Sequence, residues 1–187
     1  LKFGATGNFI KSWGEYGDGP GQFGTLNGVA ISNSGLIYLA DTGNERIQIF
    51  PRNGKYVEEW ECPTPDNESQ CSLLGVAVDE NGSVYAVDGT NHRVLKFDAD
   101  GQLLTEWPVL GLDSSGWSPL DLVVSRDGYV YVLLLDAPGY VGEAIQKYTP
   151  DGDFLAEWNV GLQRQQGHWC YPGSQVADIA IDGNSNL

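Results

Sequence analysis

An all-β fold, a propeller of four-stranded antiparallel blades, is predicted by three features of this 187-residue chain. Trp13, Trp60, Trp107 and Trp158 recur at intervals of 47, 47 and 51 residues. Ahead of each of the last three, four short segments rich in Val, Ile, Leu, Tyr and Phe appear in one constant order. Asn-Gly, Asp-Gly and Ser-Gly dipeptides fall between the segments at constant places: Ser34-Gly35, Asn81-Gly82 and Asp127-Gly128 at one turn, Asn53-Gly54, Asp100-Gly101 and Asp151-Gly152 at another. Short β-branched and aromatic runs bounded by residues that accept positive φ are strands joined by hairpins. Four of them in ~47 residues is the period of a propeller blade, and a sandwich would not repeat so regularly.

Leu1-Lys2-Phe3 aligns without a gap with Leu95-Lys96-Phe97, so residues 1–14 are expected to form the third and fourth strands of a partial blade. The first whole blade, 27–60, reads Gly28–Ile31, Leu36–Asp41, Arg46–Phe50 and Lys55–Trp60. Its innermost strand shows no polar alternation at Val29, Ala30 and Ile31, as expected where neighbouring blades cover both faces. The second, 74–107, repeats the order from Gly75–Val78 to Gln102–Trp107, and the third, 120–158, aligns after five extra residues between Leu134 and Ile145. Residues 176–187 start again: an inner strand is expected over 178–182, and Leu187 aligns with Ile37. Three whole and two partial blades make an arc expected to belong to a longer chain, with a four-bladed ring, the partial blades completing each other, as the alternative.

The chain carries 25 Asp+Glu against 10 Lys+Arg, a formal charge of −15 and a pI near 4.2. A nucleic-acid backbone binds clustered Lys and Arg by counterion release, and no such cluster exists here. Nucleic acid and anionic membrane surfaces are therefore disfavoured, and no nucleic-acid partner is expected. No apolar run approaches the ~18 residues of a membrane span, so no membrane insertion is expected.

Cys62 and Cys71 flank a Pro, Asn and Ser-rich segment and are expected to pair, the other reading being two unrelated loop thiols. Such a bond is worth about 2–3 kcal/mol through loop closure. Cys170 is then free or paired elsewhere. Asn67 and Asn81 each open an Asn-X-Ser tripeptide, a glycosylation acceptor pattern. Together these tilt the localisation towards the extracellular space or cell surface.

Leu74-Gly75-Val76-Ala77-Val78-Asp79 followed by Asp88-Gly89-Thr90-Asn91-His92-Arg93-Val94 resembles the NHL-repeat family, and Asp41-Thr42-Gly43-Asn44-Glu45-Arg46-Ile47 carries the same pattern with Glu45 in the His position. The resemblance implies a propeller that usually closes with six blades, about 280 residues at this period. It does not specify function, because this scaffold serves enzymes, receptors and adaptors alike.

Asp41 and Asp88, each five residues before an Arg, could form a row of catalytic or metal-binding carboxylates. Their recurrence once per blade favours a structural turn in which Asp caps amides and meets Arg. Asp98-Ala99-Asp100-Gly101 and Asp151-Gly152-Asp153 lack the distal Glu of a calcium loop and read as hairpin turns. An enzymatic relative, the peptidyl-hydroxyglycine amidating lyase, holds zinc through His residues just before inner strands. Those positions here are Asn27, Leu74, Leu120 and Ala177, and the two histidines, His92 and His168, cannot supply three imidazoles. No cofactor is expected, and the chain reads as a non-catalytic binding or structural scaffold, with a propeller lyase as the alternative.

Two insertions point to a binding face. In an up-and-down blade, links from second to third strand and from fourth strand to the next blade emerge at one end. The insertion at 136–143 and the long link 159–177 should bring Tyr140, His168, Trp169 and Tyr171 together, with Trp117 nearby. Loops on a rigid scaffold carry function, and these residue types suit a protein or glycan partner. The other reading is that the aromatics pin their own loops.

Overall fold

In the computed structural model, residues 1–64, 70–110, 118–135, 143–159 and 179–182 are described. The chain builds β1 (Lys2–Phe3), β2 (Phe9–Lys11), β3 (Glu15–Tyr16) and β4 (Gln22–Phe23), then three sheets of four strands. These are β5 (Leu26–Ile31) to β8 (Glu58–Glu61) through β6 (Leu36–Asp41) and β7 (Arg46–Pro51); β9 (Leu73–Val78) to β12 (Leu103–Pro108) through β10 (Val84–Asp88) and β11 (Arg93–Phe97); and β13 (Ser118–Val124) to β16 (Phe154–Asn159) through β14 (Val130–Leu135) and β15 (Glu143–Tyr148). Each sheet pairs its strands antiparallel in chain order. Among the described residues there is no α-helix, only a 3-10 turn at Thr42–Asn44.

These are propeller blades. Their inner strands start within three residues of the expected positions, and β1 and β2 form the antiparallel pair read from residues 1–14. Two features differ from the sequence reading. Residues 179–182 carry no ladder, although they lie beside β13, where the Ile179 amide donates to Asp121 at 3.4 Å. A strand is defined by its pairing, and the neighbour it would pair with lies outside the described residues. The second is a short parallel pair, β3 with β4, in the link before the first four-stranded sheet.

The hydrophobic core lies between blades. Tyr38, Ile47, Ile49 and Trp60 of the first four-stranded blade pack with Leu73, Val76, Val84, Leu95 and Phe97 of the second. Tyr85, Val87, Val94 and Trp107 of the second pack in turn with Leu122, Val130, Val132 and Tyr148 of the third. Burying both faces of a sheet in this way removes the need for alternation along β10, whose residues are all buried. At the inner strands the blades meet closely. A Cβ on Gly28 would stand 2.8 Å from the Val76 nitrogen, so only glycine lets β5 approach β9 at this point.

Candidate functional site

The repeated Asp-Asn-Arg segment forms a clamp at the end of the blade where the second-to-third turn meets the incoming link. In the first four-stranded blade, Asp41 is fully buried at the end of β6. Its Oδ1 accepts the Gly24 amide at 2.8 Å, and its Oδ2 accepts Asn44 Nδ2 at 2.8 Å, Arg46 Nε at 3.0 Å and Gln48 Nε2 at 2.9 Å. Four donors on one carboxylate fix its orientation and tie it to the turn and the link. Arg46 then spans outwards, donating to Glu59 at 2.8 Å and to the Gly19 and Gln22 carbonyls at 3.0 Å each. Asn44 Nδ2 also donates to the Gly17 carbonyl at 2.9 Å, so the motif grips the link backbone from two sides.

The second four-stranded blade repeats the device on a different link. Asp88 Oδ1 accepts the Ser72 amide at 3.1 Å, and Oδ2 accepts Asn91 Nδ2 at 2.7 Å and Arg93 Nε at 3.0 Å. Arg93 donates to Glu106 at 2.6 Å and to the Pro63 carbonyl at 2.5 Å, while Asn91 donates to the Gln70 carbonyl at 2.9 Å. The residue between Asn and Arg is left-handed in both blades: φ is 55° at Glu45 and 51° at His92. That backbone turns its carbonyl to the outgoing link, Glu45 accepting the Cys62 amide and His92 the Val109 amide, each at 2.9 Å. His92 therefore serves through its backbone in the turn.

The third four-stranded blade drops the ion pair. Strand pairing places Leu134 where Asp41 and Asp88 stand and Ala144 where Arg46 and Arg93 stand, both buried. The link is held instead by Gln146, which donates to the Leu110 carbonyl at 3.0 Å and to Glu157 at 2.7 Å, and by Tyr148, whose hydroxyl donates to Gln146 and accepts the Leu110 amide at 3.2 Å. Burial pushes the Tyr148 phenol up to about 12; the Leu110 amide opposes the shift and nearby Glu157 adds to it.

Cys62 and Cys71 are disulfide-bonded and close the link that Arg93 and Asn91 grip. Asp88 lies close to both sulfurs, but the bond leaves no thiolate to join its carboxylate around a metal. Asn81 is exposed in the turn between β9 and β10, its amide bonded to Asp79 at 2.9 Å, so its side chain is accessible. The calcium-like fragments are hairpin turns: Asp98 Oδ1 accepts the Asp100 and Gln102 amides, and Asp151 meets Lys96 at 3.3 Å.

Between the inner strands lies an open channel of about 520 Å³, lined by Asn27, Val29, Leu74, Leu120, Asp121 and Ile179 among others. Three of the four positions compared with the lyase, Asn27 in β5, Leu74 in β9 and Leu120 in β13, thus line it; Ala177 lies outside the described residues. The loop residues Trp117, Tyr140, His168, Trp169 and Tyr171, and the acceptor Asn67, also lie outside them. Sequence reading missed Gln48 and Gln146 and the acceptors Glu59, Glu106 and Glu157, although each glutamate stands one residue before a periodic tryptophan.

Comparison with known proteins agrees with this geometry. The NHL repeat model matches residues 23–50 and 71–97, the two segments that carry the clamp. Human NHL repeat-containing protein 3 is 35% identical over 66 residues, a match covering 33% of this chain and 19% of the relative. A streptogramin B lyase structure superposes with a TM-score of 0.54 at 20% identity, covering 73% of this chain and 40% of that one. The nidogen/laminin complex gives 0.52 at 20% identity, covering 73% and 50%. The chain thus spans about a fifth of the human relative and half or less of these structures. At this identity the structures establish the architecture alone, a propeller, two of whose segments match the NHL repeat model.

Proposed function

We propose that this NHL-repeat propeller is a non-catalytic scaffold whose link face docks a protein or glycan outside the cell or at its surface. The observation behind the reading is how the repeated charges are used. Asp41, Arg46, Asp88 and Arg93 recur where a row of catalytic groups would stand, and each is bonded to its own blade and to a link backbone. The frame recurs in two of the three four-stranded blades while the links it grips differ in length and sequence, which is the division of labour of a binding scaffold. A chain of the nidogen/laminin complex, itself a protein–protein assembly, shares this architecture. The Cys62–Cys71 bond and the accessible Asn81 support an oxidising, secretory setting.

The test is binding of the folded chain to arrays of extracellular proteins and of glycans, wild type against Tyr140→Ala/Trp169→Ala. The expected result is at least one ligand that the double variant loses while its circular dichroism is unchanged. Ligands retained in full by the variant overturn the assigned face, and release of glyoxylate from a peptidyl-α-hydroxyglycine overturns the non-catalytic reading.

A further inference from the structure

The hairpin turns of each blade, first to second strand and third to fourth, lie at the end opposite the links, and charge is divided unevenly among them. In the second four-stranded blade they carry Asp79, Glu80, Asp98 and Asp100. In the third they carry Asp127, Asp151 and Asp153 beside Arg126, which is paired with Glu80 at 3.2 Å. The same turns of the first four-stranded blade read Ser32-Asn33-Ser34-Gly35 and Pro51-Arg52-Asn53-Gly54-Lys55, with no acid and two cations. Arg52 stands where the other blades have Ala99 and Pro150, Asn53 where they have Asp100 and Asp151, and Lys55 where they have Gln102 and Asp153.

Two further cations are delivered to this turn. Lys2 donates to the Arg52 carbonyl at 3.1 Å and Lys11 to the Asn53 carbonyl at 2.6 Å. Lys96 makes the equivalent bond to the Pro150 carbonyl at 2.9 Å, but it is also neutralised by Asp151 at 3.3 Å. Asn53 takes the place of that aspartate, so no carboxylate of the turn offsets Lys2 or Lys11. A Cβ on Gly35 would stand 2.8 Å from Arg52 Nε, which places the guanidinium over the neighbouring β5–β6 turn. Arg52 and Lys55 are exposed. Among the described residues, Arg46, Arg93, Lys96 and Arg126 meet carboxylates, and Lys147 lies over Tyr129 and Tyr131. The other four described cations are the ones gathered here. They stand at 2, 11, 52 and 55 in the sequence, so only the fold makes the cluster, which corrects the expectation that none exists.

We infer that this turn binds a short sulfated glycan segment, at the end of the propeller away from the link face assigned above. Lys and Arg hold sulfate oxygens by charge-assisted hydrogen bonds, and the exposed amides of Asn33 and Asn53 suit sugar hydroxyls. The two turns offer no aliphatic or aromatic anchor of the kind that dominates protein–protein contacts. A nucleic acid spreads its charge along an extended backbone and would run from the four cations onto the acidic turns of the second four-stranded blade, whereas a few sulfates fit on one turn. At about 0.15 M salt the Debye length is about 8 Å, so an anion touching four cations feels the net charge of −15 only weakly.

Calorimetric titration of the folded chain with a heparin hexasaccharide at about 50 mM salt should show binding that weakens about tenfold or more at about 200 mM, as counterion release requires. Arg52→Ala/Lys55→Gln, which copies the turn of the second four-stranded blade, should weaken it about tenfold or more with circular dichroism unchanged. Asn53→Asp restores the aspartate of the other two blades and should weaken binding without removing a cation. Heparin stripped of its sulfates should not bind. Tyr140→Ala/Trp169→Ala should bind the hexasaccharide as the wild type does, so failure of the link face and failure of this site are separate results. No binding at low salt, unchanged affinity in the two turn variants, or equal affinity for a single-stranded DNA of the same charge would each overturn the inference.

Discussion

At the scale of single residues, the turn glycines do two different things that sequence alone cannot separate. Gly82 and Gly101 both hold positive φ, 91° and 81°, and both sit in a two-letter turn signal. A Cβ on Gly82 would meet nothing closer than Ala99 at 3.9 Å, whereas one on Gly101 would stand 2.4 Å from Trp60 Nε1. That nitrogen and its counterpart in Trp107 are buried without a hydrogen-bond partner among the described residues. The unmade bond costs about 1–3 kcal/mol, offset by the area the indole seals between blades. Gly82→Ala should therefore show backbone strain only, while Gly101→Ala adds overpacking and should lose about 1–3 kcal/mol more in urea unfolding. Equal losses for the two variants would show that the indole gives way, and that the Trp60 contact with the turn is not tight.

At the scale of elements, the links are held rather than left loose, and each is held differently. The link ahead of β5 is gripped by Arg46, Asn44 and Gln48 and adds the short β3–β4 pair. The link ahead of β9 is gripped by Arg93 and Asn91 and closed by the disulfide, and the one ahead of β13 is held by Gln146 and Tyr148. Removing the disulfide should cost about 2–3 kcal/mol by loop entropy. Because Arg93 and Asn91 still bind Pro63 and Gln70 in the reduced chain, the blade itself should remain folded. Thermal unfolding of Cys62→Ser/Cys71→Ser checks both parts: a cooperative transition at lower temperature is expected, and a lost transition would mean the clamp cannot hold the link alone. The strands and turns of this picture were legible because they depend on periodicity and on residues with special backbone preference. The clamp was legible only as an Asp five residues before an Arg. Its main targets are link carbonyls, which carry no side-chain signature, and in the third four-stranded blade Leu134 and Ala144 erase even the charged pair.

At the scale of the whole molecule, almost all apolar burial is between successive blades, so stability should be shared between neighbours rather than held in one centre. The core residues of the second four-stranded blade divide between two clusters, Val84, Leu95 and Phe97 facing the first such blade and Tyr85, Val87 and Val94 facing the third. That blade is therefore covered on both faces, while β1 and β2 keep Phe3, Phe9 and Ile10 exposed. Amide exchange should accordingly be slowest in β10 and β11 and fastest in β1 and β2, since local opening is cheapest where least apolar surface is buried. Trp60→Ala removes the side chain that joins the first two four-stranded blades, touching Tyr38 on one and Phe97 and the Gly101 turn on the other. It should cost about 3–5 kcal/mol locally. Exchange measured by mass spectrometry at low protein concentration should then accelerate in β6 to β8 and in the β11–β12 hairpin. Protection in β14 and β15 should stay near that of the wild type, because Trp107 still joins that blade to its neighbour. Equal acceleration in every strand would mean that the arc opens as one cooperative unit, and the neighbour-by-neighbour account would fail.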